Sequence, residues 1–140
     1  MMNLIPAIDV TASALTAEKV KLDVVSQNIA NAHTTRGPDG MPYARKIVSF
    51  EAELNRAGGL GGATGQGVRV GQITEDKSLG PLVYNPSHPD ADAGGMVRMP
   101  NVNLAMEMVD LMTASRSYEA NLSVVRTARQ MAQKALRIGS

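Results

Sequence analysis

A chain of 140 residues with a net charge of +1 has room for one modest domain and lacks the basic footprint of a nucleic-acid binder. Its 44% apolar fraction leans on Ala, Val, Leu and nine Met, with no Trp, one Phe and three Tyr, so the rings that usually fill a deep core are scarce. Absence of Cys excludes disulfides, thiolate metal sites and thiol catalysis, and no run of about 18 apolar residues is present to cross a membrane directly.

The opening residues, MMNLIPAIDVTASALTAEKVKL, carry no basic leader, and Asp9 interrupts their apolar run. They do not read as a cleavable signal, so a chain that leaves the cytoplasm would use another route. They begin instead a helix expected over about 4–32, with Asn3 as a cap and Pro6 in the first turn, where its missing N–H is harmless. Ile8, Ala12, Leu15, Leu22 and Ile29 mark one stripe of it; Ala7, Val10, Ala14, Ala17 and Val24 mark a second, of smaller residues. The helix should stop at HTTRGPDG, His33 to Gly40.

Beyond that the period changes. Ala44, Val48, Phe50, Ala52 and Leu54 alternate as in a strand, interrupted by Lys46. RAGGLGGATGQG, Arg56 to Gly67, holds six glycines and reads as a flexible loop. VRVGQIT, Val68 to Thr74, and PLVY, Pro81 to Tyr84, suggest the two arms of a short hairpin. YNPSHPDADAGG, Tyr84 to Gly95, is broken by Pro86, Pro89 and two glycines into irregular structure.

A second helix should start near Asn101 or Asn103 and run to Ile138, with Gly139 as its stop. It too has two stripes. The first runs Leu104, Met108, Leu111, Ser115, Tyr118, Leu122, Val125, Arg129, Ala132, Leu136; the second runs Ala105, Val109, Met112, Ala120, Val124, Ala128, Met131, Ala135, Ile138. At 1.5 Å per residue such a helix is roughly 55 Å long.

The expected architecture is therefore mainly α. Long N- and C-terminal helices (1–35 and 98–140) pair as a coiled-coil-like core, with a small β-rich, Gly/Pro-rich insert over 36–97. One stripe of each helix suffices for that pairing. The second stripes stay unsatisfied in a monomer; a two-fold dimer would also cover them, but two distinct seams suit heterologous contacts that propagate into an open helical assembly.

Chemistry is sparse. His33 and His88 lie on separate loops without a third ligand at metal spacing, and the glycine run lacks the G-K-[ST] ending of a phosphate loop. Ser13, Ser26, Ser115 and Ser117 have no histidine base beside them, so no cofactor, metal or catalytic site is expected. Glu107, Asp110 and Glu119 read as a solvated or ion-paired helix face, and Arg45-Lys46 as a solvated strand edge. Asn28 and Asn121 are poor helix formers that could set register in a seam; Asn31 could equally belong to a fraying end.

Two segments carry a resemblance. SALTAEKVKLDVVSQNIANAHTT, Ser13 to Thr35, resembles the N-terminal signature of the bacterial flagellar axial proteins: rod, hook and hook-associated subunits. The run from Asn85 to Gly139, with HPDAD, PNVN before the helix and ASRSYEAN within it, is similar to the proximal rod branch, and Gly95-Met96 stands where that branch commonly has Gly-Tyr. The resemblance implies a structural rod subunit exported unprocessed by the flagellar type III apparatus. It would polymerise in the periplasm with copies of itself, other rod proteins and the adaptors of the membrane ring. It also implies contact residues at Leu15, Leu22, Asn28, Ile29 and Asn31, and at Met108, Leu111, Tyr118, Asn121, Leu122 and Val125. A cytosolic helical adaptor or export chaperone is the rival reading and predicts one seam per helix; an enzyme is the remote third.

Overall fold

The computed structural model describes residues 4–54 and 66–139. In chain order they form α1 (Leu4–Ala30), β1 (Lys46–Leu54), β2 (Gln66–Glu75), β3 (Leu82–Tyr84), β4 (Met96–Arg98) and α2 (Leu104–Ile138). The mainly helical expectation holds, with two long helices and a central part holding two two-stranded sheets, β1 with β2 and β3 with β4. The proposed Asn3 cap and most of the glycine run lie outside the described residues, while Gly67, expected in that loop, belongs to β2.

By contacts the chain falls into two compact units. Unit 1 comprises Met1–Leu22, Ser49–Gln72 and Thr113–Ser140; unit 2 comprises Asp23–Val48 and Ile73–Met112. Among the described residues the buried apolar side chains are Ala17, Val24, Val25, Ala32, Val97 and Ala114. All are small or β-branched, so the core is thin, as the scarcity of rings implied.

In unit 1, Thr11, Ser13 and Thr16 return their hydroxyls to carbonyls of Ala7, Val10 and Ala12, which keeps these poor helix formers compatible with α1. The Ser13 hydroxyl also accepts the Val68 N–H at 3.0 Å and so ties β2 to the helix. Ser49 Oγ and the Gln72 backbone exchange two bonds at 3.1 Å, and Arg69 reaches Glu51 at 3.1 Å. Lys21 lies 5.8 Å from the centre of the Phe50 ring, an exposed cation–π contact.

Unit 2 is built from turns. Asn31 carries both its N–H and its side-chain amide to the Gln27 carbonyl, closing α1, and Tyr43 N–H reaches Thr34 O at 3.0 Å. β3 and β4 pair antiparallel in the register Leu82↔Arg98, Val83↔Val97, Tyr84↔Met96. Gly95 supplies the turn before β4: its φ is +76°, and an added Cβ would lie 2.9 Å from the Tyr84 ring. The hairpin expected between residues 68–74 and 81–84 is not formed, because β2 pairs with β1 and β3 with β4. The reason is local. Asn101 Nδ2 grips the carbonyls of Asp76 and Ser78, and Gly80 lies so close to the Met99 carbonyl that a Cβ would come within 1.9 Å of it. The chain after β2 is thereby bound to the segment that follows β4.

Asn103, not Asn101, caps α2, its side-chain oxygen accepting the Met106 N–H at 3.3 Å. At the other end Gly139 N–H bonds to Ala135 O at 3.2 Å. Among the described residues no helix is long and apolar enough to cross a membrane.

Candidate subunit interface and the polar node behind it

Burial along the helices separates the two stripes. On α1 the buried positions are Ala17, Val24, Val25 and Asn28, with Ala32 just past its end; Ala17 and Val24 belong to the small-residue stripe, which Asn28 continues, while Ala7 at its start is exposed. Small side chains let neighbouring backbone come close, and this stripe faces inward. Leu15, Leu22 and Ile29, the larger stripe, stay half-buried, as does Asn31.

On α2 the inward line runs through Glu107, Leu111, Ala114, Tyr118, Leu122, Val125 and Ala132. Leu111, Tyr118, Asn121, Leu122 and Val125 are half-buried, whereas Met108 is exposed at 45%, one position off the inward line. The second α2 stripe is open to solvent: Met112 is exposed at 61%, Val124 at 55% and Met131 at 59%.

The inward line carries an acid. Glu107, expected on a solvated face, is 1% exposed, and Arg45, expected at a solvated strand edge, is half-buried against it. Arg45 Nε donates to Glu107 Oε1, and its NH2 lies 3.6 Å from Asp110 Oδ2. Burying a carboxylate is tolerable only with such a partner and further hydrogen bonds.

Asn28 provides the next bond. Its Nδ2 donates to Lys46 O at 2.9 Å and to Glu107 Oε2 at 3.3 Å. Its Oδ1 accepts Lys46 N–H at 2.9 Å and the Tyr43 hydroxyl at 2.8 Å. Both donors and both lone pairs of the amide are used. The side chain thus acts as a piece of strand that fixes where β1 begins. Asn28 sets register, but between α1, the start of β1 and the first turn of α2 rather than along a helix seam.

Asn101 extends the node. Its Oδ1 accepts the Arg45 N–H at 2.7 Å, and Asp76 N–H reaches Arg45 O at 2.7 Å. Burial, with the negative charges of Glu107 and Glu75, pushes the Tyr43 hydroxyl above its ordinary pKa. Each of these bonds joins one protein group to another, which makes the node a structural tie. Elsewhere, exposed His33 and half-buried His88 line one small cavity with Val83, Val97 and Met99, and His88 Nδ1 accepts the Asp90 N–H at 3.0 Å. Among the described residues no group of His, Asp and Glu side chains is placed to hold a metal ion.

Sequence reasoning missed Glu107 and Arg45. The available signal was an acid three residues after Leu104 and four before Leu111, inside an apolar stripe, where a solvated carboxylate does not belong.

Comparison with known proteins places these helices in one class. The family model for flagella basal body rod proteins matches residues 8–38, and that for the C-terminal part of flagellar basal body rod FlgEFG proteins matches residues 93–138. Asn28 lies in the first match and Glu107 in the second, so the node bonds the two matched segments directly. Over nearly the whole length of both chains, the protein is 44% identical to the flagellar basal-body rod protein FlgC of Borreliella burgdorferi (98% of each) and 45% identical to that of Bacillus subtilis (99% of each). The FlgC protein of Escherichia coli O6:H1 is 46% identical, again over 99% of each chain. The chain belongs to the FlgC family of flagellar basal-body rod proteins, and its function is that of a structural rod subunit.

Proposed function

We propose that the chain enters the rod through the outward stripes of its two helices, the helices of each subunit pairing as a coiled-coil-like core. The observation that carries this is the split of α2 into an inward line and an apolar line left in solvent, with Met112, Val124 and Met131 each more than half exposed. A stripe of that kind on a long helix is a surface awaiting a neighbour. Met112, Val124 and Met131 on α2, with Leu15, Leu22, Ile29 and Asn31 on α1, meet neighbouring subunits, while Leu111, Tyr118, Leu122 and Val125 serve the pairing of the helices, with Met108 and Asn121 at its margin. Asn28 acts from behind these contacts, holding the last turn of α1, which carries Ile29.

The neighbours are other copies, other rod proteins and the adaptors that join rod to membrane ring. The assembled shaft passes torque toward the hook. In this reading the chain travels unprocessed through the flagellar type III apparatus and polymerises in the periplasm. Basal bodies purified from cells carrying an epitope-tagged copy test the reading. The tagged subunit is expected in the rod fraction at its full, uncleaved mass. Retention in the cytosol, with basal bodies complete without it, would favour an adaptor or chaperone instead.

A further inference from the structure

Charge is divided unequally along this chain. Unit 1 carries nine Lys and Arg against five Asp and Glu, a net +4, and unit 2 carries five against eight, a net −3. The positive excess gathers late in α2, where Arg126, Arg129, Lys134 and Arg137 follow Glu119 with no further acid. There Met131, Lys134 and Ile138 share the second stripe, with Met131 59% and Ile138 85% exposed.

Unit 2 offers a counterpart. An open groove of about 540 Å³ runs between residues 39–44 and 76–80 and is lined by Met41, Leu79, Met99, Asp39 and Asp76. Met41 is 59% and Leu79 77% exposed. Asp39 and Asp76 accept the nearby N–H groups of Met41 and Ser78, and among the described residues neither forms an ion pair. The bonds from Ser78, assisted by the charge of Arg45, hold the Asp76 carboxyl below its usual range, so it stays ionised. Of the cations at the groove, Arg98 is turned to the Gly80 carbonyl at 2.8 Å, and Lys77 stands exposed.

We propose that the late turns of α2 in one copy seat on unit 2 of a second copy, with Met131 and Ile138 against the Met41–Leu79 groove and Lys134 facing Asp39 and Asp76. The occupant is a second copy because one chain carries both halves of a complementary pair. A two-fold contact through the basic turns alone would set like charge against like, whereas head-to-tail contact sets opposite charges together. A head-to-tail contact leaves a free groove at one end and a free helix at the other, so it propagates. This inference rests on the assembly reading above and names one contact within it.

The test uses basal bodies from cells making two forms of the subunit: an untagged wild-type copy and a tagged copy with a photocrosslinking amino acid in place of Met131. Exposure of Met131 makes the replacement tolerable to the fold. After illumination, a tagged–untagged dimer is expected, with the adduct mapping to residues 39–44 or 76–80 of the untagged chain. Lys134→Glu in the tagged copy should lower the dimer yield several-fold, and Asp39→Lys in the untagged copy should restore it. Adducts confined to α2 of the second copy, or to a different rod protein, would overturn the contact while leaving the subunit in the rod. Absence of the wild-type subunit from basal bodies would instead overturn the assembly reading, and this contact with it.

Discussion

Ala17 and Asn28 lie about three turns apart on the inward stripe of α1, yet different physics holds each in place. Around Asn28, in unit 2, an amide with all four bonding positions filled joins α1, the start of β1 and the first turn of α2. Around Ala17, in unit 1, the buried apolar side chains among the described residues are alanines, and the ties are serine hydroxyls, an exposed ion pair and a cation–π contact. Unit 2 closes on its own hydrogen bonds. Unit 1 has no such node among the described residues, and it leaves Val124, Met131, Leu136 and Ile138 of α2 in water. The difference teaches where a rod subunit keeps its own shape and where it depends on neighbours.

The largest effect expected comes from charging the exposed stripe. Val124→Asp places its carboxylate in solvent in the isolated subunit, so thermal melts should shift stability by no more than about 0.5 kcal/mol. In the rod the same carboxylate would be buried without a partner, at a cost of several kcal/mol, and swimming in soft agar should be lost. Leu122→Asp, on the half-buried inward line, should lose both swimming and monomer stability. Equal behaviour of the two variants would break the distinction between the stripes.

Glu107→Ala comes next. It leaves Arg45 half-buried without its carboxylate and should cost about 3–5 kcal/mol in urea unfolding. Removing the exposed pair of unit 1 by Arg69→Ala should cost less than about 1 kcal/mol. Similar losses for the two would erase the contrast between a node and a surface bridge. Gly95→Ala should then cost about 1–2 kcal/mol, since a φ of +76° strains any residue with a Cβ.

The smallest effect is in pH. The Tyr43 hydroxyl holds its proton more tightly when folded than its ordinary value of 10.0. Between that value and the raised one the folded chain binds the extra proton, so stability is full below about pH 10 and falls as pH rises beyond it. Tyr43→Phe should flatten that alkaline slope. An unchanged slope would show that the hydroxyl is not linked to the node.

Both helices were legible in the sequence, because period and punctuation are local: HTTRGPDG ends α1, and an asparagine after Pro100 caps α2. So was the second stripe of α2. The node was not. Arg45 and Glu107 are 62 positions apart, and Asn28 and Glu107 are 79, so neither leaves a repeating trace. β4 was missed because three residues, Met96 to Arg98, are too few to show alternation. The wrong hairpin followed, since β3 looked for the nearest strand and its partner was invisible.

Methionine oxidation offers the most direct test of the claim that neighbours cover the outward stripe of α2. Met131 is 59% exposed in the single chain and Met112 on the same stripe 61%, and an exposed thioether oxidises readily to the sulfoxide. Mild peroxide treatment, followed by peptide mass spectrometry, can be applied to the isolated subunit and to purified basal bodies alike. The account predicts that both methionines oxidise in the free subunit and are strongly protected in the rod. Equal oxidation in the two states would mean that the stripe stays in water after assembly, and would contradict it.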